Sequence, residues 1–183
     1  MKWNLGDLLD HVGAVEPTSR AALIHGDRVI SWAELSRRSN NIARALHRRG
    51  VEPTAKVAFY LRNVPEYMEF LAAALKGRLT HVNINYRYRA QELTYILENS
   101  DSEAVVYSAE FRDRVEEIRG QCPSVKLWIE VGEAPAPDFA IAYEKLANEG
   151  DGAPLAIERD PNDLILLYAG GTTCMPKGVM WTH

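Results

Sequence analysis

The sequence predicts an α/β fold: a mostly parallel sheet with helices on both faces. Three observations lead there. Short apolar runs alternate with helical patterns roughly ten residues long, the arrangement that builds parallel strands joined by right-handed crossovers. Runs such as residues 56–61 and 164–168 are apolar at successive positions, as strands covered on both faces require. Start and stop signals bracket the helices, with a Ser31/Glu34 pair and Pro65 at helix starts and Gly50, Gly77 and Gly120 at helix ends.

In chain order, Leu5, Leu8, Leu9 and Val12 fall at helical spacing, so residues 4–14 read as a short amphipathic docking helix that closes before Pro17. Two extended runs, Ala21–His25 and Arg28–Ser31, flank Gly26-Asp27 and read as a hairpin. A strong helix follows. Ser31 and Glu34 form a capping box, Leu35, Ile42, Ala45 and Leu46 an apolar stripe, and Gly50 a stop. Its arginines, Arg37, Arg38, Arg44, Arg48 and Arg49, read as a solvated face, with Glu34 and Arg38 as an i,i+4 pair. Residues 56–61 are a buried strand, and Pro65 opens a helix ended by Gly77. Residues 79–84, 104–107 and 125–131 are further strands; residues 91–98 and 110–119 are helices, the second ended by Gly120. A proline-rich loop at 132–138, a helix at 139–147 and an irregular stretch at 148–163 complete the approach to the last strand.

Composition narrows the function. The chain has 183 residues, 46% hydrophobic and 25% charged, ordinary for a globular domain and unlike a disordered or fibrous one. A net charge of −4 without like-charge blocks gives no electrostatic case for nucleic acid or an anionic membrane. Two cysteines, Cys122 and Cys174, form no disulfide-rich or CxxC pattern and point to a reducing compartment, the cytoplasm. No secretory signal and no run long enough to cross a bilayer is present. His11, His25, His47 and His81 are scattered singly, no GxSxG elbow occurs, and no repeat is visible, so neither a metal centre nor a catalytic triad is expected.

Ligands of such sheets bind beyond the carboxyl ends of the strands. One segment there, residues 83–89, alternates Tyr86 and Tyr88 with Arg87 and Arg89. Four residues are too few for a nucleic-acid platform, and a surface turn held by packed tyrosines is the better reading. The other segment is residues 164–183. Its strand runs into Gly170 and Gly171, which allow positive φ and close backbone approach, and into the hydroxyls of Thr172 and Thr173. Pro176 stiffens the far side, Lys177 adds a cation, and Gly178 releases the chain into Val179, Met180 and Trp181, a second strand. A loop of amides and hydroxyls with one lysine between two strands has the parts needed to hold a nucleotide's phosphates. A Walker A loop would place Gly-Lys-Ser/Thr before a helix. Here Lys177 precedes a glycine and a strand, which disfavours a simple P-loop NTPase.

The run from Tyr168 to Val179, Tyr-Ala-Gly-Gly-Thr-Thr-Cys-Met-Pro-Lys-Gly-Val, resembles the signature loop of the AMP-binding, adenylate-forming enzymes. Gly170, Gly171, Thr172, Thr173, Pro176, Lys177, Gly178 and Val179 sit where that pattern puts them. Two positions depart: Ala169 stands where a threonine hydroxyl usually lies, and Cys174 replaces a glycine. Were position 174 left-handed, its Cβ would cost about 1 to 2 kcal/mol. The resemblance implies that Gly170, Gly171, Thr172, Thr173, Cys174, Lys177 and Gly178 surround the ATP phosphates, with Lys177 as the catalytic cation that neutralises departing pyrophosphate.

In element order the likeness runs over the whole chain, and the GG loop, the Val-Met-Trp-Thr-His continuation and the Tyr-Arg-Tyr-Arg segment look most like the fatty acyl-CoA synthetase branch. It implies ATP, Mg2+ with ligands downstream of this chain, and coenzyme A as co-substrate. Partners are then a small carboxylic acid, ATP and coenzyme A, with no nucleic acid and no transmembrane segment; a homodimer stays open. On this reading residues 1–183 are a partial amino-terminal AMP-binding domain that stops just after the phosphate-binding loop and is inactive alone. The alternatives are a non-catalytic nucleotide-binding or interaction module, and an acyl-AMP ligase that passes its acyl group to a carrier protein.

Overall fold

The computed structural model describes residues 3–170 and 175–183. In chain order the elements are α1 (Leu5–Val15), β1 (Ala21–His25), β2 (Arg28–Ser31), α2 (Trp32–Arg48), β3 (Lys56–Tyr60), α3 (Pro65–Lys76), β4 (Thr80–Asn83), α4 (Ala90–Asn99), β5 (Ser102–Ser108), α5 (Arg112–Ile118), β6 (Leu127–Val131), β7 (Ala140–Ala142), α6 (Tyr143–Ala147), β8 (Leu164–Ala169) and β9 (Lys177–Thr182). Single 3₁₀ turns, Ala109–Phe111 and Arg119–Gln121, flank α5. The helix expected over 110–119 is therefore shorter and tightened at both ends.

Strands β1 and β2 form a hairpin about the two-residue turn Gly26-Asp27, where Gly26 takes φ +58°. The main sheet has seven strands in the order β7-β6-β5-β3-β4-β8-β9. Its pairs are parallel except the last, where β9 runs against β8. Alternate side chains of the central strands go to opposite faces. Val57 and Phe59 of β3 and Ala104 and Val106 of β5 pack under α2, α3 and α6. Ala58, Tyr60, Val105 and Tyr107 pack under α4 and α5. The expected fold class is thus the observed one, and each face has its own core.

One strand was not foreseen. Residues 140–142, expected to open a helix, pair in parallel with β6 instead, Ile129 opposite Ile141, and only Tyr143–Ala147 is helical. The free edge of β6 offers ladder partners that a first helical turn would leave unused.

Helix α1 docks through polar groups more than through its leucines, since Leu5 and Leu8 are exposed. Asn4 caps it, accepting from the Gly6 amide at 2.7 Å while its own amide donates to Asp7 at 3.0 Å, a full capping box. The same side chain donates to the Asp160 carbonyl at 2.7 Å. Arg159 reaches Asp7 and Asp10 at 2.9 and 2.7 Å, and Lys76 meets Asp10 at 3.0 Å.

Arg38 corrects the reading of α2 as a simple solvated arginine face. Glu34 turns to Arg37 rather than Arg38, at 2.8 Å, and Ser31 accepts from the Glu34 amide at 3.2 Å without the reciprocal half of the box. Arg38 points inward. Its Nε donates to both oxygens of Glu69 at 2.9 Å, and its terminal nitrogens donate to Glu144 at 2.9 and 2.7 Å. The Tyr143 hydroxyl donates to Glu69 at 2.7 Å. One guanidinium thereby fastens α2 to α3 and α6. The reason lies in spacing, because position 38 falls on the stripe of Leu35, Ile42 and Ala45. Removing Arg38 leaves the Glu69 carboxylate buried with a single phenol to hold it, so Arg38→Ala is expected to lower unfolding free energy by about 3 kcal/mol. Arg37→Ala should change it by less than about 1 kcal/mol; urea titrations of the two variants make the comparison.

His81 on β4 sits against Phe59, its Nε2 2.9 Å from the Tyr67 hydroxyl, with Nδ1 unpartnered. Burial pushes its pKa down from 6.5 to about 4. Between those values the unfolded chain binds a proton that the folded chain refuses, so stability falls as pH drops through that window, by about 3 kcal/mol in full. His81→Phe is expected to flatten this part of the stability–pH curve, read from unfolding free energies at intervals between pH 6.5 and 4.

Candidate functional site

The candidate site lies where β4 and β8 end and β9 begins. Strand β8 is parallel to β4, with Asn83 opposite Leu167, and antiparallel to β9, with Tyr168 opposite Gly178 and Ala169 opposite Lys177. The chain thus leaves the carboxyl end of β8 and returns at Lys177 in a fixed register. Asn83 accepts from the Tyr168 amide at 2.6 Å, satisfying a backbone donor just where the ladder stops.

Tyr168 is the buried pivot of the pair. Its hydroxyl donates to Asn99 at the end of α4, at 2.7 Å, and its ring lies under Gly178. A Cβ at Gly178 would meet ring atoms and the hydroxyl at 3.0 to 3.2 Å. That contact explains the glycine by lack of room. Gly170 has a similar explanation, because a Cβ there would lie 2.8 Å from the Tyr88 hydroxyl. The backbone at Gly170 is not left-handed, so of the two freedoms glycine allows there it is close approach that is used.

Segment 83–89 wraps the same end of the sheet. The Tyr88 carbonyl accepts from the Tyr60 hydroxyl at 2.8 Å and from Arg114 at 2.9 Å, and Arg114 also donates to the Tyr60 hydroxyl. Arg62 stacks over Tyr86 at 4.7 Å while forming a two-point ion pair with Glu110 at 2.7 and 2.9 Å. Tyr86 thus faces this protein's own Arg62 and Arg87 while Tyr88 packs against the core, as a surface turn held by packed tyrosines requires.

Lys177 is exposed and enters no ion pair among the described residues. Pro176 beside it is buried. Of the residues singled out in the sequence, Gly170, Lys177 and Gly178 are placed together; Gly171, Thr172, Thr173 and Cys174 lie outside the described residues. Pattern reading put segment 83–89 at this end of the sheet without linking Asn83 to Tyr168 or Tyr88 to Gly170, and it missed Asn99, which lies far from Tyr168 in sequence.

A larger cleft, about 790 Å³, lies over the carboxyl ends of β5, β6 and β7, lined by Ser108, Gly132 and Tyr143 among others. Three of its charged residues are already matched, Arg28 with Glu66 at 2.7 Å and Glu144 with Arg38 at 2.7 Å, while Glu133 on its rim is exposed. Among the described residues no group of three or more His, Cys, Asp or Glu could hold a metal ion, and no helix is long and apolar enough to cross a membrane.

A model of the AMP-binding enzyme family matches residues 9–183. The 3-oxocholest-4-en-26-oate–CoA ligase of Rhodococcus rhodochrous is 38% identical over 188 residues, covering 100% of this chain and 34% of the relative. A medium/long-chain-fatty-acid–CoA/3-oxocholest-4-en-26-oate–CoA ligase of Mycobacterium marinum is 36% identical, covering 98% of this chain and 34% of the relative. The inhibitor-bound amino-terminal domain of FACL13 from Mycobacterium tuberculosis superposes with a TM-score of 0.85 at 28% identity, over 100% of this chain and 45% of that one. The anthranilate CoA ligase AuaEII, solved with anthranoyl-AMP, gives a TM-score of 0.91 at 24% identity, over 99% of this chain and 35% of that one, a likeness of fold. The chain spans about a third of the length of the curated relatives it matches.

The packing at Gly178 is open to test. Gly178→Ala is expected to cost about 1 to 3 kcal/mol by forcing the Tyr168 ring aside. Urea unfolding of the variant measures it, and an unchanged midpoint would show that the ring yields freely.

Proposed function

The chain belongs to the AMP-binding enzyme family, and from that premise we propose that it is the amino-terminal part of an ATP-dependent acyl-CoA synthetase acting on a fatty or related carboxylic acid. The observation that carries this reading is the register of β8 with β9. With Ala169 opposite Lys177, the cation stands at the rim of a loop held at the carboxyl end of the sheet, where ligands of open α/β sheets bind. The curated relatives' names support the choice of carboxylic acid and thiol.

In the proposed first step a carboxylate oxygen attacks the α-phosphorus of ATP, the bond to the β-phosphate oxygen breaks, and pyrophosphate leaves with the electron pair. In the second the sulfur of coenzyme A attacks the acyl carbon and AMP departs. This chain serves the first step. Backbone amides of Gly170, Gly171 and Cys174 and the hydroxyls of Thr172 and Thr173 surround the β- and γ-phosphates, and Lys177 meets the charge that grows on pyrophosphate as the bond breaks. Gly178 and Pro176 fix the geometry of the loop. Magnesium would screen phosphate charge when bound, and its ligands are assigned to sequence beyond His183. The same reading places the reaction in the cytoplasm and leaves residues 1–183 inactive by themselves.

Lys177→Ala in the intact protein is expected to slow acid-dependent ATP–pyrophosphate exchange by roughly 10²- to 10³-fold, the range for loss of one transition-state charge contact. The KM for the carboxylic acid should stay nearly constant. Exchange at the wild-type rate would remove Lys177 from the mechanism.

A further inference from the structure

We propose that Tyr88 is the positioning residue of the phosphate loop: its ring is the wall against which the chain leaving β8 is set, and Gly170 is the residue that lets the chain lie against it. The proposal rests on the reading of segment 170–176 as an ATP-phosphate loop. It starts from a contact between residues 82 positions apart in sequence, the Tyr88 hydroxyl 2.8 Å from where a Cβ of residue 170 would stand. Because Gly170 is not left-handed, closeness to this phenol is what selects glycine there.

A wall must itself be fixed, and Tyr88 is. Its carbonyl accepts two hydrogen bonds, from Tyr60 on β3 and from Arg114 on α5, at 2.8 and 2.9 Å. A turn bond from its own amide to the Asn85 carbonyl, at 2.9 Å, closes the segment locally. Its ring packs against the core under α4 and α5. The carbonyl bonds hold the Tyr88 backbone, and the packing of its ring against that core restrains the side chain. The direction in which residue 170 leaves the sheet is set from β3 and α5.

Gly170→Ala, Tyr88→Phe and the double variant are made in the intact protein and compared with wild type. Three readouts are taken: the dissociation constant for MgATP by calorimetry, amide hydrogen exchange across residues 169–178, and the unfolding midpoint. Gly170→Ala alone is expected to weaken MgATP binding about tenfold, equivalent to about 1.4 kcal/mol, and to speed exchange across the loop, with the midpoint unmoved. In the Tyr88→Phe background, where the oxygen is gone, the same alanine should cost less than about threefold and exchange should return to the wild-type pattern. An alanine penalty of equal size in both backgrounds, or none in either, overturns the proposal, as does an effect seen only in the unfolding midpoint. If the wild-type protein binds no MgATP, the phosphate-loop reading falls; the exchange data then decide on Tyr88 alone, rescue upholding the contact and additivity refuting it.

Discussion

Strands covered on both faces have no water to satisfy their amides, so every donor and acceptor of β3 and β5 has to be met along the sheet. That requirement organises the molecule. β5 and β4 complete the two sides of β3, β8 completes β4, and the chain must travel from β5 at the middle to β8 near one margin through residues 109–163. The crossing brings the carboxyl end of β8 beside those of β4 and β3. Tyr88 becomes a neighbour of Gly170, and Asn83 of Tyr168, for that reason, although neither is near its partner in sequence.

Because the ladder fixes order but not the seating of helices, polar side chains do the second task. Arg38 joins three helices on one face through Glu69 and Glu144. On the approach to β8, Asp163 accepts from Arg78 at 2.9 Å and from Asn4 at 3.2 Å, so the strand that feeds the loop begins at a fixed point. Both groups sit where long side chains from separate elements can converge, and both are partly shielded from water, where charge-assisted bonds hold geometry well.

Periodicity revealed most of the architecture in the sequence. The hairpin at Gly26-Asp27, α3 from Pro65 to Lys76 and the strand ahead of Gly170 are local statements, each made by residues within one turn or one run. What escaped was decided across the fold. Arg38 is charged by type yet buried by position, and its partners Glu69 and Glu144 lie 31 and 106 residues away. Residues 140–142 have a pattern compatible with a helix, and only the free edge of β6 makes them a strand. At the candidate site the pattern Gly-Gly-Thr-Thr with Pro-Lys-Gly was plain, whereas the reason for Gly170 was not, because steric crowding by Tyr88 and permissive φ leave the same letter in a sequence.

The packing of Tyr168 against Gly178 also limits how this sequence can drift. Bulk at 168 and its absence at 178 are one property shared by two residues, so a methyl group gained at 178 is tolerable only after the ring at 168 has shrunk, and shrinking the ring first strands Asn99 without the phenol it holds. Either order passes through a poorer intermediate. Mutational routes that alter this end of the sheet are therefore easier when the two positions change together.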